Sequence, residues 1–126
     1  MPESGRIVVV HDEGQIRELA VTTLRAVGYD VVGFADPMRA LDAIEACSGI
    51  RLLVTRLNFP AGRPSGASLG RMVRYKRRLK GQSVQVLFVT QPENQLLVGD
   101  IGAALPLPLD PQMLVDTVKQ LLLAPD

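Results

Sequence analysis

Short apolar runs alternate along the chain with longer segments in which apolar residues recur every three or four positions. The runs are typical of strands that a sheet buries on both faces, because neither face of such a strand meets water. They cover residues 7–10, 29–34, 52–55, 84–90 and 103–107. Pro106 lies within the last run and cannot donate a hydrogen bond to a neighbouring strand, so this run is predicted to lie at the edge of the sheet.

Helical periodicity follows each of these runs. The first helix is predicted to end at Gly28, and the second and last helices are predicted to begin at Asp36-Pro37 and Asp110-Pro111. Aspartate caps a helix N-terminus, and proline suits its first position. A Gly/Pro/Ser-rich loop over residues 60–66 leads into a third helix, and a short fourth helix is predicted over residues 93–98. The positions expected to be buried on the third helix are Leu69, Met72, Val73 and Leu79.

Five strand–helix units joined by short connections predict an α/β fold, a parallel sheet with helices on both faces. A length of 126 residues suits one domain, so residues 1–126 are assigned to a single domain. The apolar runs are shorter than the roughly 20 residues of a membrane span, and the N-terminal sequence lacks the pattern of a secretion signal. Because Cys47 is the only cysteine, no internal disulfide can form and a cytoplasmic location is expected.

In a doubly wound sheet, ligands bind in the crevice beyond the carboxyl ends of the strands, where the strand order reverses. A strand order of 2-1-3-4-5 places this crevice between the first and third strands. The residues that end or follow the strands around it include His11, Asp12, Arg56, Thr90 and Leu107. His11 is the only histidine of the chain and, at a strand end, is expected to make a local hydrogen bond.

Four stretches of the sequence carry a resemblance to a known family. They read VVVHDEGQIRELAVTTLRAVGYDVVGFADPMRALDAI, LLVTRLNFP, VQVLFVT and GAALPLPLDPQML, and they cover nearly the whole chain in order. The first resembles the opening of response-regulator receiver domains, which have an apolar strand, two acids and a glutamate, an amphipathic helix and G-Y-x-V. The resemblance implies a flavodoxin-like fold, a doubly wound five-stranded parallel sheet in the order 2-1-3-4-5, and a role in two-component or phosphorelay signalling.

The resemblance also implies a phosphorylation pocket of five positions. In the family, two acids after strand 1 help to hold Mg²⁺, an aspartate at the end of strand 3 accepts the phosphoryl group, a Thr or Ser ends strand 4, and a lysine precedes a cis proline after strand 5. In this sequence these positions hold His11, Asp12, Arg56, Thr90 and Leu107. Only Asp12 and Thr90 match, so the pocket is predicted to be degenerate. The bond between Leu107 and Pro108 is expected to be cis.

Arg56 decides the chemistry predicted for this pocket. An arginine stays protonated and is no nucleophile, so no acyl phosphate can form there. The family's three aspartates and one lysine carry a net charge of −2 and attract Mg²⁺, whereas the residues at these positions here carry about zero. We therefore predict a pseudo-receiver without phosphorylation, Mg²⁺ or another cofactor, or enzymatic activity. Arg56 is expected to pair with Asp12, either as a functional lock in place of Mg²⁺ and lysine or as a plain structural ion pair.

Such a domain is expected to act by protein–protein contact, with a histidine kinase, a downstream effector or a second copy of itself. In receivers, the face formed by helix 4, strand 5 and helix 5 commonly meets partners. The last helix of this chain has a wider apolar arc than one stripe against a sheet requires, and surplus apolar surface usually marks an interface. The candidate interface residues are Leu97, Ala104, Met113 and Leu122.

Several features leave alternatives open. A flavodoxin-like small-ligand or nucleotide-binding protein would use the same sheet, but it should carry a phosphate-binding Ser/Thr/Gly loop where residues 11–15 read HDEGQ. A receiver modified at another residue is a third possibility.

Two basic features have open roles. Arg63 could contact an anion together with Arg56. Six of the fourteen cations fall within residues 71–80, and we interpret this cluster as a solvated helix end and not a nucleic-acid site, because no recognition motif or aromatic platform accompanies it.

Overall fold

The computed structural model describes residues 6–46, 49–57, 59, 65–91 and 102–123. The strands are β1 (Arg6–Val10), β2 (Asp30–Phe34), β3 (Ile50–Arg56), β4 (Gln85–Thr90) and β5 (Ala103–Pro106). The helices are α1 (Gly14–Ala26), α2 (Pro37–Ala46), α3 (Gly66–Leu79) and α4 (Pro111–Leu123), of which α4 is the predicted last helix. The helix predicted over residues 93–98, with Leu97, lies outside the described residues, as do Arg63 and Cys47.

The five strands form one parallel sheet in the order β2-β1-β3-β4-β5, which confirms the predicted flavodoxin-like order and the edge position of the strand that contains Pro106. The register pairs Val10 with Thr55 between β1 and β3, and Arg56 with Val89 between β3 and β4. The carboxyl ends of these three strands therefore lie side by side, and the residues that end or follow them share one edge of the sheet.

Two hydrophobic clusters hold helices on opposite faces of the sheet, because successive strand residues point to opposite faces. One cluster joins α1 and α4 to the sheet, and its fully buried members include Ile7, Leu24, Leu52, Leu87 and Leu114. The other joins α2 and α3 to the sheet, and its buried members include Ile44, Leu53, Leu69 and Phe88. Within the described ranges, no helix has the length and apolar character needed to cross a membrane.

Aspartates cap α2 and α4 as predicted. The Oδ1 atom of Asp36 accepts the backbone N–H of Met38 at 2.9 Å. The Oδ1 atom of Asp110 accepts the backbone N–H groups of Gln112 and Met113 at 2.8 and 3.2 Å. These bonds satisfy N–H groups that have no partner within the helix itself, so they fix where each helix begins.

α3 buries a different stripe from the predicted one. Leu69 and Val73 are buried, as expected. Met72 and Leu79, however, are 38% and 69% exposed. A stripe that passes through Leu69 and Val73 in steps of four residues next reaches Arg77, which is only 3% exposed. The cation cluster at the end of α3 is therefore not uniformly solvated, and the interpretation of it as a solvated helix end is wrong for Arg77.

Gly66 allows the N-terminus of α3 to approach the end of β3 closely. Its N–H donates to the carbonyl oxygen of Leu57 at 2.7 Å. A Cβ atom placed on Gly66 would lie 1.8 Å from the carbonyl oxygen of Arg56, far inside van der Waals contact. Any other residue would push α3 away from β3, so Gly66 helps to set the position of Arg56.

Gly66→Ala is expected to lower the free energy of unfolding by about 2–4 kcal/mol, because the backbone of β3 or α3 must move to admit the methyl group. Gly49→Ala is the matched control, since a Cβ atom there would meet nothing within 4 Å. Its effect should stay within about 0.5 kcal/mol. Urea denaturation followed by circular dichroism measures both variants, and equal effects would contradict this account of the packing.

Candidate functional site

The carboxyl ends of β1, β3, β4 and β5 surround a cleft of about 80 Å³. It is lined by His11, Glu13, Arg56, Val89, Thr90, Gln91 and Leu107. Four of the five residues that the sequence placed at this site are in this lining. The fifth, Asp12, contacts Arg56. The topology thus brings together side chains that are up to 96 positions apart in the chain.

Arg56 and Asp12 form an ion pair between the ends of two adjacent strands. The Nη1 atom of Arg56 donates to Oδ1 of Asp12 at 2.6 Å, and the two side chains are 33% and 20% exposed. Burial is the largest single influence on the pKa of the Asp12 carboxyl and acts to raise it. The hydrogen bond and charge of Arg56 outweigh burial, and the pKa lies below its ordinary value. The predicted pair is therefore present, and it keeps Asp12 ionised.

His11 is held as a neutral imidazole. Its side chain is 3% exposed, and its Nδ1 accepts the backbone N–H of Glu13 at 3.1 Å, the local hydrogen bond expected from the sequence. Because Nδ1 accepts, the ring proton lies on Nε2, which has no hydrogen-bond partner among the described residues. Burial and then the charge of Arg56 lower the pKa of His11. The Nδ1 atom of His11 lies 3.7 Å from Oδ1 of Asp12, but the neutral ring is not an ionic partner of that carboxylate.

Arg17 also belongs to this site, although no sequence pattern pointed to it. Its Nη1 donates to the carbonyl oxygen of His11 at 2.8 Å, while the N–H of His11 donates to the carbonyl oxygen of Phe34 at 3.0 Å. The segment after β1 is thus fixed from α1 on one side and from β2 on the other. Basic residues near the start of a helix are common, so the sequence alone could not have identified this contact.

Thr90 and Leu107 lie at the side of the cleft nearest β5. Thr90 is 5% exposed, and its carbonyl oxygen accepts the N–H of Leu107 at 3.0 Å. The Leu107 side chain packs against the cluster that joins α1 and α4 to the sheet, so an apolar group stands where the resemblance implied a lysine in the family. The bond between Leu107 and Pro108 is cis, as expected.

No protein-family model and no curated protein sequence matches the chain. Solved structures do match it. The receiver domain of the hybrid histidine kinase CckA is 31% identical, and the likeness covers 94% of this chain and 99% of that domain with a TM-score of 0.74. The chain belongs to the response-regulator receiver family.

Two further receiver structures agree with this assignment. A putative response regulator from Chloroflexus aurantiacus is 26% identical, with 97% of this chain and 100% of that chain covered and a TM-score of 0.82. The chemotaxis response regulator CheY4 of Vibrio cholerae is 24% identical, with 93% and 98% covered and a TM-score of 0.77. At that identity, CheY4 supports the fold alone.

The donor set of this receiver's cleft does not fit Mg²⁺, the ion that the family implies. Mg²⁺ prefers an octahedron of oxygen ligands. Here the Asp12 carboxylate already accepts from Arg56, and the Nδ1 of His11 is occupied by the N–H of Glu13. Among the residues that the structure describes, no group of three or more His, Cys, Asp or Glu side chains is placed to hold a metal ion. The guanidinium of Arg56 supplies the positive charge next to Asp12.

Three of the candidate interface residues, Ala104, Met113 and Leu122, lie in the part of the chain that the structure describes. Leu122 is half-buried against the cluster beneath α1 and α4, and its carbonyl oxygen accepts the Nη2 of Arg51 at 3.2 Å. Ala104 is half-buried against the opposite cluster. α4 packs against α1 as well as the sheet, so it needs a wide apolar arc simply to fold. Leu122 and Ala104 thus use part of their apolar surface within the fold, Met113 is 47% exposed, and an interface on this helix stays a prediction.

A double-mutant cycle can measure the strength of the ion pair in this receiver. Arg56→Met and Asp12→Asn should show a coupling free energy of about 1–2 kcal/mol, because both side chains are partly buried. The control is the pair Arg6–Asp30, which has the same residue types at 2.9 Å but side chains that are 41% and 60% exposed. Its coupling should be at most about 0.5 kcal/mol. Chemical denaturation gives both values, and equal couplings would contradict the role assigned to burial.

The stability of the domain should fall as the pH is lowered from about 7.5 to 5.5. The pKa of His11 is lower in the folded protein than its ordinary 6.5, so the unfolded chain takes up the proton first. Stability is fully present above that ordinary value and is lost as the pH falls towards the folded-state pKa, by at most about 1.4 kcal/mol per pH unit. His11→Asn keeps an acceptor for the N–H of Glu13 and does not titrate. A variant whose stability varies with pH as steeply as the wild type would rule out His11 as the cause.

Proposed function

We propose that this receiver domain signals through protein–protein contacts and accepts no phosphoryl group. The observation that carries the proposal is Arg56, which ends β3 where the family has its phosphoacceptor and which is paired with Asp12. A guanidinium stays protonated at any physiological pH and has no lone pair with which to attack a phosphoryl donor. Asp12 cannot replace the acceptor while it is bonded to Arg56, since attack would require it to leave its charged partner.

The charge of the cleft supports the same proposal. Transfer of a phosphoryl group requires cations around the donor, because negative charge is spread over the phosphoryl oxygens. Arg56 is compensated by Asp12, His11 is neutral, and Leu107 contributes no charge where the family has a lysine. We propose that the cleft binds no Mg²⁺ and that the domain is not an enzyme.

The ion pair favours one fixed state of the cleft. Two interpretations of the pair agree with this proposal. The pair can be a lock that replaces Mg²⁺ and lysine, or a structural pair that offsets a partly buried carboxylate. In both cases the contact joins the ends of β1 and β3. A domain built in this way receives its input as a binding event, and its output does not depend on a covalent modification at Arg56.

The solved relatives support the class of partner. CckA is named as a hybrid histidine kinase, and in NtrX from Brucella abortus the likeness spans only 27% of the longer chain. We propose that the partner is a signalling protein, a histidine kinase or a downstream effector, and that a homodimer is the second candidate. A small-ligand or nucleotide-binding role has less support, because the cleft of about 80 Å³ is well below the roughly 300 Å³ of ligand pockets.

Exposure of the purified domain to acetyl phosphate and Mg²⁺ should leave its intact mass unchanged, and beryllofluoride with Mg²⁺ should leave its amide NMR spectrum unchanged. The reason is that the cleft offers neither a nucleophile at Arg56 nor a metal site. A mass increase of one phosphoryl group that maps to Asp12 would contradict the proposal.

The matched control restores the family's residues in the same fold. The triple variant His11→Asp, Arg56→Asp and Leu107→Lys supplies three aspartates and one lysine at the cleft, with Thr90 already present. It should gain one phosphoryl group from acetyl phosphate under the same conditions. Uptake by this variant alone would tie the loss of phosphorylation to these three positions.

A further inference from the structure

A groove of about 340 Å³ lies between α2 and α3, on the face of the sheet opposite α1 and α4. Its apolar lining consists of Leu41 and Ile44 from α2 and of Val73 and Leu79 from α3. Leu41, Ile44 and Val73 are at most 7% exposed and form the floor, whereas Leu79 is 69% exposed at the mouth. The core does not use the Leu79 side chain, which is therefore free to pack against a bound partner.

Basic side chains border this apolar floor. Lys76, Arg77 and Lys80 line the groove together with a single carboxylate, that of Glu45, so the lining carries two surplus positive charges. Arg77 is buried and its Nη1 donates to Oε1 of Gln82 at 2.8 Å, which holds its charge in place. Lys76 and Lys80 are exposed, and their ammonium groups can turn towards a ligand.

The pKa of Glu45 shows that the basic side chains of the groove stabilise an ionised carboxylate. A hydrogen bond from Lys76, and then the charges of Lys76, Lys80 and Arg77, lower the pKa of Glu45 against the opposing effect of burial. The Lys76–Glu45 pair lies in the open, with the two side chains 48% and 41% exposed, so it is weak and can exchange partners. A carboxylate from another molecule would be stabilised at the same place.

The groove lies towards the end of the sheet opposite the cleft. α3 ends shortly before β4 begins, whereas the cleft forms where β4 ends at Thr90. At about 3.3 Å per residue, the six residues of β4 separate these two ends by roughly 17 Å. A partner can therefore occupy the groove without contact to the Arg56–Asp12 pair.

We infer that the groove docks an acidic segment of a partner protein, which places an apolar side chain against Leu79 and carboxylates beside Lys76 and Lys80. This inference rests on the proposed function as a protein-binding module and names the surface that it uses. Leu79 at the mouth supplies exposed apolar surface that an anchor residue can cover, and the basic border selects an acidic sequence around that anchor.

A nucleic acid matches these features less well than an acidic peptide does. The lysines would attract phosphates, but the apolar lining makes no favourable contact with a phosphate and the carboxylate of Glu45 repels it. Among the described residues that line the groove, none is aromatic, so no base can stack there. A bilayer surface is flat and matches a concave groove less well than a single projecting side chain does.

A random dodecapeptide library displayed on phage should, when selected against the full chain, yield acidic sequences that contain Leu, Ile or Phe. A fluorescein-labelled peptide of the selected sequence should bind in fluorescence anisotropy, and its affinity should fall as NaCl rises from about 0.05 to 0.3 M. No enrichment, or enrichment of basic or uncharged sequences, would overturn the inference.

Substitutions matched in charge and exposure locate the site of binding. Lys80→Glu should weaken the peptide roughly tenfold, while Lys119→Glu, which makes the same charge change on exposed α4 across the sheet, should change it by less than about twofold. Leu79→Ala should weaken it roughly fivefold, against little change for Leu123→Ala on α4, whose leucine is 85% exposed. Glu45→Gln should strengthen binding, since it removes the competing carboxylate.

Equal effects of Lys80→Glu and Lys119→Glu would overturn the inference. Competition experiments can also overturn the inference. If decanoate or a single-stranded oligodeoxynucleotide displaces the labelled peptide at a lower concentration than the unlabelled peptide does, the groove is a site for a free amphiphilic acid or a nucleic acid. The proposed function fails by a different result, phosphoryl uptake by the wild type. Peptide binding to a protein that is also phosphorylated would leave the groove in place and refute only that function.

Discussion

The ion pair between Arg56 and Asp12 joins the ends of β1 and β3, the two strands between which a sheet of this order opens its ligand crevice. A carboxylate at the end of β1 is partly buried and needs a positive charge beside it. In the family, that charge comes from a metal ion and a lysine. In this chain a positive charge comes from Arg56 on the neighbouring strand.

The rest of the cleft is consistent with this internal cation. With Arg56 in place, a charged imidazole would add a second cation to the same small space, and burial and the arginine together keep His11 neutral. A lysine after β5 would do the same, and Leu107 instead packs, half-buried, against the cluster that joins α1 and α4 to the sheet. Gly66 belongs to the same arrangement, since its lack of a side chain lets α3 begin against the carbonyl oxygen of Arg56. The departures from the family's pattern are therefore physically linked.

Sequence patterns predicted the fold and most of the cleft because the relevant signals are local or follow from topology. Apolar runs marked the strands, aspartate–proline pairs marked two helix starts, and parallel strands place their carboxyl ends together, so Arg56 could be paired with Asp12 in advance. The errors concern how helices pack on one another. The burial of Arg77 depends on the position of α3 beside α2, and the groove is a gap between the same two helices. Periodicity along one segment carries no information on such gaps.

α3 runs from the cleft to the groove. It begins at Gly66, in contact with the backbone of Arg56 and Leu57, and it ends at the basic border of the groove. Its fourteen residues form one continuous helix about 21 Å long. A helix of this length moves as a rigid body, so any displacement at its first turn must also move the wall that Val73 and Leu79 contribute to the groove. Because the Arg56–Asp12 pair lies at the strand end on which α3 starts, it favours a single geometry of that wall.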